Sequence, residues 1–574
     1  MIKTYTTYII YNTYCPCPHS LPLGKVKINF ALPSLIRIFA GMIRLKRKLS
    51  TKHRLIFSLV SALLLSSGWL GAGGLPLFVA FVPLMLISAE YDGSLRNWFR
   101  MLGWATLTFM LWNAFTIWWV WKATPLGPIT AAIISTWWNL VAFMLFHTVS
   151  KRAPKGLAYV LFVSAWIATE YIYTQAPALS FPWLVLGNGF SDDTWSVQWY
   201  EYTGVFGGSL WVLVVNILAL QSLLTFRKGV WTAATAALLL PMGASLVLYA
   251  MESPEGERYE GREKICVSAI QPDVDCYDKF NGDTAWQQEN LLGLLAEVPD
   301  SAQFVLMPET SLGATLNVDF LGDARIAERI SEVLRMRRSP ATVIAGCETV
   351  DIYGRAKGSP TARCSEGIYY DLYNSAIGID STASNVQLHH KGKLVVGVET
   401  TPAWLRDAEV FSVDLGGTMG QLGIGTKTEP FVAGGVKVAP AICYEGLYGN
   451  YMGGFVRNGA QALFVISNDG WWGNTPGHKF LFSFCRLRAI EHRRDIARSA
   501  NTGVSGFIDS RGDDIERLGW DKRGVITADI RLNDRVTFYT RFGDYIGRLS
   551  LYIAGLCLLY FVAYRAKKRF YLVD

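Results

Sequence analysis

The sequence predicts α/β structure combined with membrane helices: a bundle of eight transmembrane spans with an α/β layered domain inserted between spans seven and eight. Three observations predict it. Of 574 residues, 51% are hydrophobic and only 17% charged, with 20 tryptophans, and the mean hydropathy is +0.23. That composition suits several spans joined to a water-soluble part. Eight apolar runs each approach the ~20 residues needed to cross a bilayer. Between the last two runs lies a polar stretch in which short β-rich segments alternate with helical patterns, as in a layered α/β domain.

In chain order, residues 1–54 are Tyr/Thr-rich and then weakly apolar, with Pro22 and Pro33. They read as a poorly structured or upstream extension ending in a basic segment, Arg44 to Arg54, with Met42 an alternative start. A bundle of seven helices is expected over 55–250, with spans at 55–71, 73–89, 100–121, 128–149, 157–174, 204–225 and 230–250. The first two runs join through Gly71-Ala-Gly-Gly74, which favours a helical hairpin over a cleaved signal peptide. The eighth span, 547–564, lies in a last segment, 547–574, that ends in a basic tail. Lys and Arg cluster at 44–54, at Arg96 and Arg100, at Lys151, Arg152 and Lys155, at Arg227 and Lys228, and from Arg565 to Arg569. Numbering the spans places all of these on one side, and Lys122 is the exception on the other. By the positive-inside rule both termini are then cytoplasmic, and 251–546 lies on the outer side of the membrane.

The stretch 251–546 is long enough for one domain. Strands are expected at 265–270, 304–307, 341–345, 436–442, 462–466 and 505–508, and helices at 285–295, 324–336 and 478–497. The formal charge of +8 sits in clusters beside apolar runs, so it orients a membrane protein and does not mark a nucleic-acid binder. Nine cysteines are scattered singly apart from Cys15 and Cys17, without paired zinc-ligand spacing. Free thiols are expected; a Cys347–Cys364 disulfide is the alternative in an oxidising compartment. Neither a metal nor a cofactor is expected.

Cys443 ends the apolar run Val436–Ile442 and is followed by Tyr444, Glu445 and Gly446. A thiol at such a strand-to-turn junction faces a cleft, and the next amide can stabilise an oxyanion. The bland alternative is a buried core thiol, but the polar residues after it are poor core material. A thiol attacks as thiolate, so it needs a base or a positive field. Glu309 ends Phe304-Val-Leu-Met-Pro-Glu; partial burial would raise its pKa and suit it to exchange a proton with the thiol. Lys391, in His389-His-Lys-Gly-Lys-Leu-Val, would stabilise the oxygen of a tetrahedral intermediate. Singly, each has an ordinary reading as a helix-capping carboxylate or a solvated basic turn. His389 and His390 face opposite ways in a strand, which argues against a metal pair. Trp112, Trp118, Trp119, Trp121, Trp137 and Trp138 suit interfacial belts or helix contacts. Glu170, at the outer end of the fifth span, is either a functional group or a side chain exposed at the membrane surface.

In this order and with these neighbours, Glu309, Lys391 and Cys443 resemble the nitrilase superfamily, and with eight spans around them its membrane-embedded lipoprotein acyltransferases. Further matching text is Trp166-Ile-Ala-Thr-Glu170, Phe181-Pro-Trp-Leu184 with Gly187, Ile466 to Gly473, Arg488 to Glu491 and Arg498 to Gly503. The resemblance runs from about residue 55 to the C-terminus. It implies a nitrilase-like αββα sandwich with a triad at its strand ends: Glu309 as base, Lys391 as catalytic lysine and Cys443 as nucleophile. Lys393 competes for the lysine role. The resemblance also implies that Glu399 is a second essential carboxylate holding Lys391. Tyr444 and Glu445 would shape the pocket beside the thiol, and Trp471 would be an aromatic on a mobile loop near it. Two departures touch loop conformation: Leu394-Val-Val-Gly-Val-Glu399 replaces the usual Leu-Val-Pro-Phe-Gly-Glu, and Phe280 stands where a tryptophan is common.

The implied reaction takes an acyl chain from a glycerophospholipid in the bilayer, through a thioester on Cys443. The chain passes to the α-amino group of the diacylglyceryl-cysteine of an apolipoprotein, on a monomeric enzyme that needs no cofactor. The alternative is a membrane-anchored nitrilase-like amidase or hydrolase with water as acceptor, for which eight spans exceed an anchor's needs. A transporter carrying a dead enzyme-like domain fits less well, because few charges lie within the spans.

Overall fold

The computed structural model describes residues 49–570 apart from 125, 177–178, 254–257, 259–260, 278, 280–281 and 401–420. Residues 1–48 of the expected extension, with Met42, Cys15 and Cys17, lie outside the described residues, as does Phe280. Leu49–Asp574 forms one compact unit.

Helices Thr51–Ser66, Val82–Glu90, Leu95–Thr116, Gly127–Ser150, Lys155–Gln175, Val205–Thr225, Lys228–Met251 and Tyr545–Phe570 fall on the eight expected runs. Five of them, from Gly127–Ser150 onward, are long and apolar enough to cross a membrane. The other three depart from full-length apolar helices for local reasons. The first helix has 16 residues and passes into a 3₁₀ turn, Ser67–Trp69. The second run splits into a 3₁₀ segment, Leu75–Val79, and a nine-residue helix, each with a proline in its first turn, where the missing N–H costs nothing. Leu95–Thr116 has the length, at 22 residues, but carries Arg96, Asn97 and Arg100 in its opening turns.

Two of the basic segments meet at one end of the bundle. Arg54 pairs with Glu90 at 3.1 Å, Lys151 Nζ donates to Ala89 O at 3.3 Å, and Arg152 Nη2 donates to Gly93 O at 3.1 Å. The tryptophans divide between two environments. Trp112 and Trp119 are buried among other rings, whereas Trp118, Trp121 and Trp137 are exposed. Glu170 is buried, which removes the alternative of simple exposure at the membrane surface. Its Oε1 accepts from Trp166 Nε1 at 3.0 Å and from Leu186 N at 2.9 Å, tying the Pro182–Phe190 segment to its helix.

The polar stretch folds into two sheets. Its strands are β1 (Lys264–Gln271), β2 (Phe304–Leu306), β3 (Thr315–Asn317), β4 (Thr342–Gly354), β5 (Arg363–Ser365), β6 (Ile368–Ile379), β7 (Gln387–His390), β8 (Phe431–Ala433), β9 (Val436–Ile442), β10 (Ala462–Ser467), β11 (Ile496–Ala500), β12 (Ser505–Ile508), β13 (Asp514–Leu518) and β14 (Gly524–Arg531). One sheet runs β14-β1-β2-β4-β6-β5, with β3 on β4 and β7 on β6; the other runs β13-β12-β11-β10-β9-β8. Phe304, Leu306 and Ile344 from the first meet Val438, Ile442, Phe464 and Ile466 from the second in a shared core. Helices Thr284–Glu297 and Arg325–Met336 cover the outer face of the first sheet, and Gly449–Arg457 and Pro476–His492 cover that of the second. The layers are therefore α–β–β–α. Arg325–Met336 shows why: Ile326, Ala327, Ile330 and Leu334 form its buried stripe, at helical spacing.

Two expectations are corrected. The helical pattern read through Ala497 stops at His492. Arg493 turns left-handed at φ +50°, and Ile496–Ala500 becomes β11, parallel to β10. The strand read at 341–345 runs on to Gly354 and pairs antiparallel with the twelve-residue β6.

A buried polar seam joins the sandwich to the end of the bundle opposite Arg54 and Lys151. Arg493 Nε meets Glu201 at 2.7 Å, and Arg535 bridges Glu201 at 2.9 Å and Glu252 at 2.8 Å. Glu491 Oε1 accepts from Val205 N at 3.1 Å, at the start of a membrane helix, and Tyr444 and Tyr448 both donate to Ser180. Breaking one such buried pair costs about 3–5 kcal/mol, because the surviving charge stays out of water.

Candidate active site

Strand ends from both sheets converge on one cavity. Glu309 follows β2 across Pro308, Lys391 follows β7, Cys443 follows β9 and Asn468 follows β10. Backbone bonds fix the Glu309 corner against β4, with Met307 N donating to Ile344 O at 2.8 Å and Gly346 N to Pro308 O at 3.1 Å. Only glycine fits at 346: a Cβ there would lie 2.5 Å from Glu309 Cα.

Cys443 has φ +47°, a left-handed conformation that costs a side-chain-bearing residue about 1–3 kcal/mol unless its surroundings impose it. Glu445 imposes it. Its buried carboxylate accepts from Ile442 N at 2.7 Å and from Gly392 N at 2.6 Å, and meets His389 Nε2 at 3.2 Å. One side chain thereby ties the thiol's turn to the lysine's loop. Burial works against its charge, but His389 and these donors hold its carboxyl below the usual range.

Lys391 Nζ lies 2.7 Å from Glu309 Oε1 and 3.0 Å from Glu399 Oε1. Asn374 Nδ2 donates to the same two oxygens at 2.7 and 2.8 Å, and Asn468 N donates to Glu309 Oε2 at 3.0 Å. Glu399 is itself held by Val395 N at 2.8 Å, so the altered loop sequence still presents this carboxylate. Burial would strip Lys391 of its proton, yet the two carboxylates raise its pKa above the ordinary value. Burial would likewise raise Glu309, but the Lys391 ammonium and the donated hydrogen bonds hold it below 4.5. That inverts the expected direction. Burial, then the charge of Glu309, pushes the Cys443 thiol up, against the pull of Lys391. The resting state is a carboxylate beside an intact thiol. A carboxylate offers about four acceptor positions; Glu309 has filled three, leaving room for one more proton donor.

Glu309, Lys391, Glu399, Cys443 and Trp471 all line a cavity of about 350 Å³. Its wall includes Ala123 from the bundle and Trp472, whose ring meets Trp119 edge-on at 4.9 Å. Trp471 rests edge-on against Tyr277 at 5.5 Å. Tyr444 and Glu445 stand behind the thiol and are not on this wall: Tyr444 reaches into the seam, its ring against Trp183. Lys393 points elsewhere, over the rings of Tyr448 and Tyr451. His389 faces Glu445 while His390 stacks on Tyr373 at 4.0 Å, so the two histidines diverge. The seven described cysteines are free, Cys347 and Cys364 included.

Two cavity residues escaped the sequence reading. Asn374 sits within β6, a strand that reading did not expect. Lys279 is buried and donates from Nζ to Glu309 O at 2.5 Å; burial, partly offset by Glu309, lowers its pKa to about 8. Its run, Tyr277-Asp-Lys279, has no signal to separate it from a surface turn.

A cysteine, a lysine and a glutamate at the strand ends of an αββα sandwich define a carbon–nitrogen hydrolase-type domain, here carried on apolar helices. The family model described as carbon-nitrogen hydrolase matches residues 292–538, and the one described as apolipoprotein N-acyltransferase N-terminal domain matches 34–218. The chain is similar to the apolipoprotein N-acyltransferase of Chlorobaculum tepidum, with 29% identity over 84% of this chain and 91% of the relative. Those of Geobacter metallireducens (23% identity, 89% and 95%) and Gloeobacter violaceus (26%, 87% and 91%) match over similar lengths. By these matches the chain is similar to apolipoprotein N-acyltransferases over most of its length.

Proposed function

We propose that the chain is an inner-membrane N-acyltransferase. It moves a fatty acyl chain from a glycerophospholipid to the α-amino group of the N-terminal diacylglyceryl-cysteine of lipoproteins. The reading rests on one observation above all: Cys443 shares a cavity with Glu309 and Lys391, and that cavity is walled in part by the membrane bundle at Ala123.

Glu309 takes the Cys443 proton as the sulfur attacks the donor's ester carbonyl. Lys391 and the amide of Tyr444 stabilise the oxyanion, and the proton passes to the departing lysophospholipid oxygen. The acceptor amine then attacks the thioester, which splits one hard transfer into two easier ones. Keeping both substrates in the bilayer avoids exposing acyl chains to water at about 0.8 kcal/mol per methylene.

Eight spans are the count this reading uses, with the three shorter or more polar segments completing the five long ones. On that count 1–54 precedes a bundle over 55–250, the sandwich occupies 251–546 between spans seven and eight, and 547–574 carries the last span. The meeting of Arg54, Lys151 and Arg152 at the end away from the sandwich supports a cytoplasmic basic face and a periplasmic catalytic domain. The same geometry would serve an amidase with water as acceptor, and the intermediate separates the two. The test is reconstitution with phospholipid and a diacylglyceryl-modified peptide, followed by mass spectrometry. A long acyl chain on Cys443 and then on the peptide amine is expected, with neither in Cys443→Ala. Peptide acylation by Cys443→Ala would overturn the mechanism.

A further inference from the structure

A second cavity, of about 250 Å³, lies where the sandwich meets the bundle, and the proposed reaction does not use it. Three membrane helices contribute their ends or immediate flanks to its wall: Thr174 and Gln175, Val205 and Phe206, and Asp544. It therefore sits at the depth where hydrocarbon gives way to lipid headgroups. From the sandwich side come Lys393, Arg457 and the first residues of the Gly449–Arg457 helix, which has no side-chain cap.

Charge decides what such a cavity takes. Among the described residues no carboxylate lies within ion-pair distance of Lys393; its half-buried ammonium stands 5.0 Å from the ring centre of Tyr448 and 5.8 Å from that of Tyr451. Arg457 spends two donors on the backbone carbonyls of Thr540 and Asn450 and is exposed at the rim. The one carboxylate on the wall, Asp544, accepts from Tyr539 Oη at 2.6 Å. Two cations and an uncapped helix start thus face one carboxylate, a surplus of positive charge at headgroup depth.

We propose that this cavity binds the phosphate group of a phospholipid headgroup, at a site separate from the one that holds the acyl ester beside Cys443. A singly charged phosphodiester balances the surplus, and both Lys and Arg are established phosphate partners. Occupancy would reach the catalytic loop directly: Lys393 is two residues from Lys391, and the Gly392 N–H between them is held by Glu445. The proposal rests on the membrane-spanning reading above.

The test is native mass spectrometry of the full-length protein in detergent, titrated separately with phosphatidylglycerol, with diacylglycerol and with inorganic phosphate. Cys443 acylation is measured in parallel. Wild type should retain phosphatidylglycerol and not diacylglycerol. Lys393→Gln should weaken that retention about tenfold, the loss of one buried charge-assisted contact, while Lys393→Arg keeps it. Asp544→Asn, which removes the opposing charge, should tighten it, a gain that misfolding cannot mimic. Phosphate that competes with the lipid shows that the site reads the phosphate itself; lipid retained without competition shows that it requires the whole headgroup. Equal retention of phosphatidylglycerol by wild type, Lys393→Gln and Asp544→Asn overturns the proposal. Failure of Cys443 to acylate while charge-dependent retention persists refutes the acyltransferase reading and leaves this site standing.

Discussion

Gly346→Ala tests the geometry without touching any group that meets substrate. A Cβ at 346 would lie 2.5 Å from Glu309 Cα, 2.5 Å from Thr310 N and 2.7 Å from Pro308 O. All three are backbone atoms, so no side chain can swing aside, and ordinary contact requires about 3.4 Å. The corner bearing Glu309 must therefore retreat by roughly 1 Å, enough to pull its carboxylate out of the 2.7 Å bond to Lys391. A displacement of that size costs on the order of 10² in rate, or about 2.7 kcal/mol of barrier. Overpacking costs a further 1–3 kcal/mol or so of stability. The assay is single-turnover acylation of Cys443 in phospholipid nanodiscs, followed by intact mass, beside a thermal unfolding curve. Acylation about a hundredfold slower in a folded protein is expected. Acylation within about threefold of wild type would show that the Glu309–Lys391 contact does not set the rate.

Three other outcomes follow from the same site and seam. As the proposed base, Glu309 must be deprotonated, and Lys391 holds its pKa below 4.5. The rate of acyl uptake should therefore persist as pH falls through 4.5 and fail only below it, and Lys391→Met should shift the acid limb upward; a limb already above 4.5 in wild type contradicts this. Lys279 is depressed from 10.5 to about 8, so in the folded protein it sheds its proton before the unfolded chain does. Stability should then rise with pH between about 8 and 10.5, by up to about 3 kcal/mol, and Lys279→Met should flatten that rise in a thermal-unfolding series. Arg493→Met removes a cation paired with buried Glu201 and should cost about 3–5 kcal/mol. It would be read as earlier unfolding and faster proteolysis of the sandwich, and an unshifted curve would show that the seam does not hold the domain.

The layered fold and the strand end that carries Cys443 were legible because apolar strands write strong local signals, whereas Glu309 and Lys391 stood out only in combination with it. β9 and β10 lie parallel and, apart from Lys437, are buried on both faces, so they appear as largely apolar runs, and Cys443 follows such a run directly. β6 was hidden because its first half mixes three tyrosines and an aspartate over largely half-buried positions. Asn374, which bridges two carboxylates, was hidden with it. The end of the Pro476–His492 helix was missed for a different reason: Arg493 is no helix breaker by propensity. Its left-handed turn is sustained by contacts distant in sequence, to Glu201, Gln198 and Ser510. The charge state of Glu309 depends on the same kind of distant partner, since burial predicts one direction and Lys391, 82 positions on, imposes the other.

The seam of Arg493, Arg535 and Glu491 has a kinetic consequence. A thiol clamped to the ends of membrane helices has no tether along which to search, so its donor must arrive by lateral diffusion within the sheet of lipid. The concentration that governs turnover is then a surface density. Diluting the donor with inert lipid or detergent should slow the enzyme in proportion to mole fraction, while adding more vesicles of the same composition should leave the rate per enzyme unchanged. Rates compared across preparations become meaningful only when expressed per unit of interface.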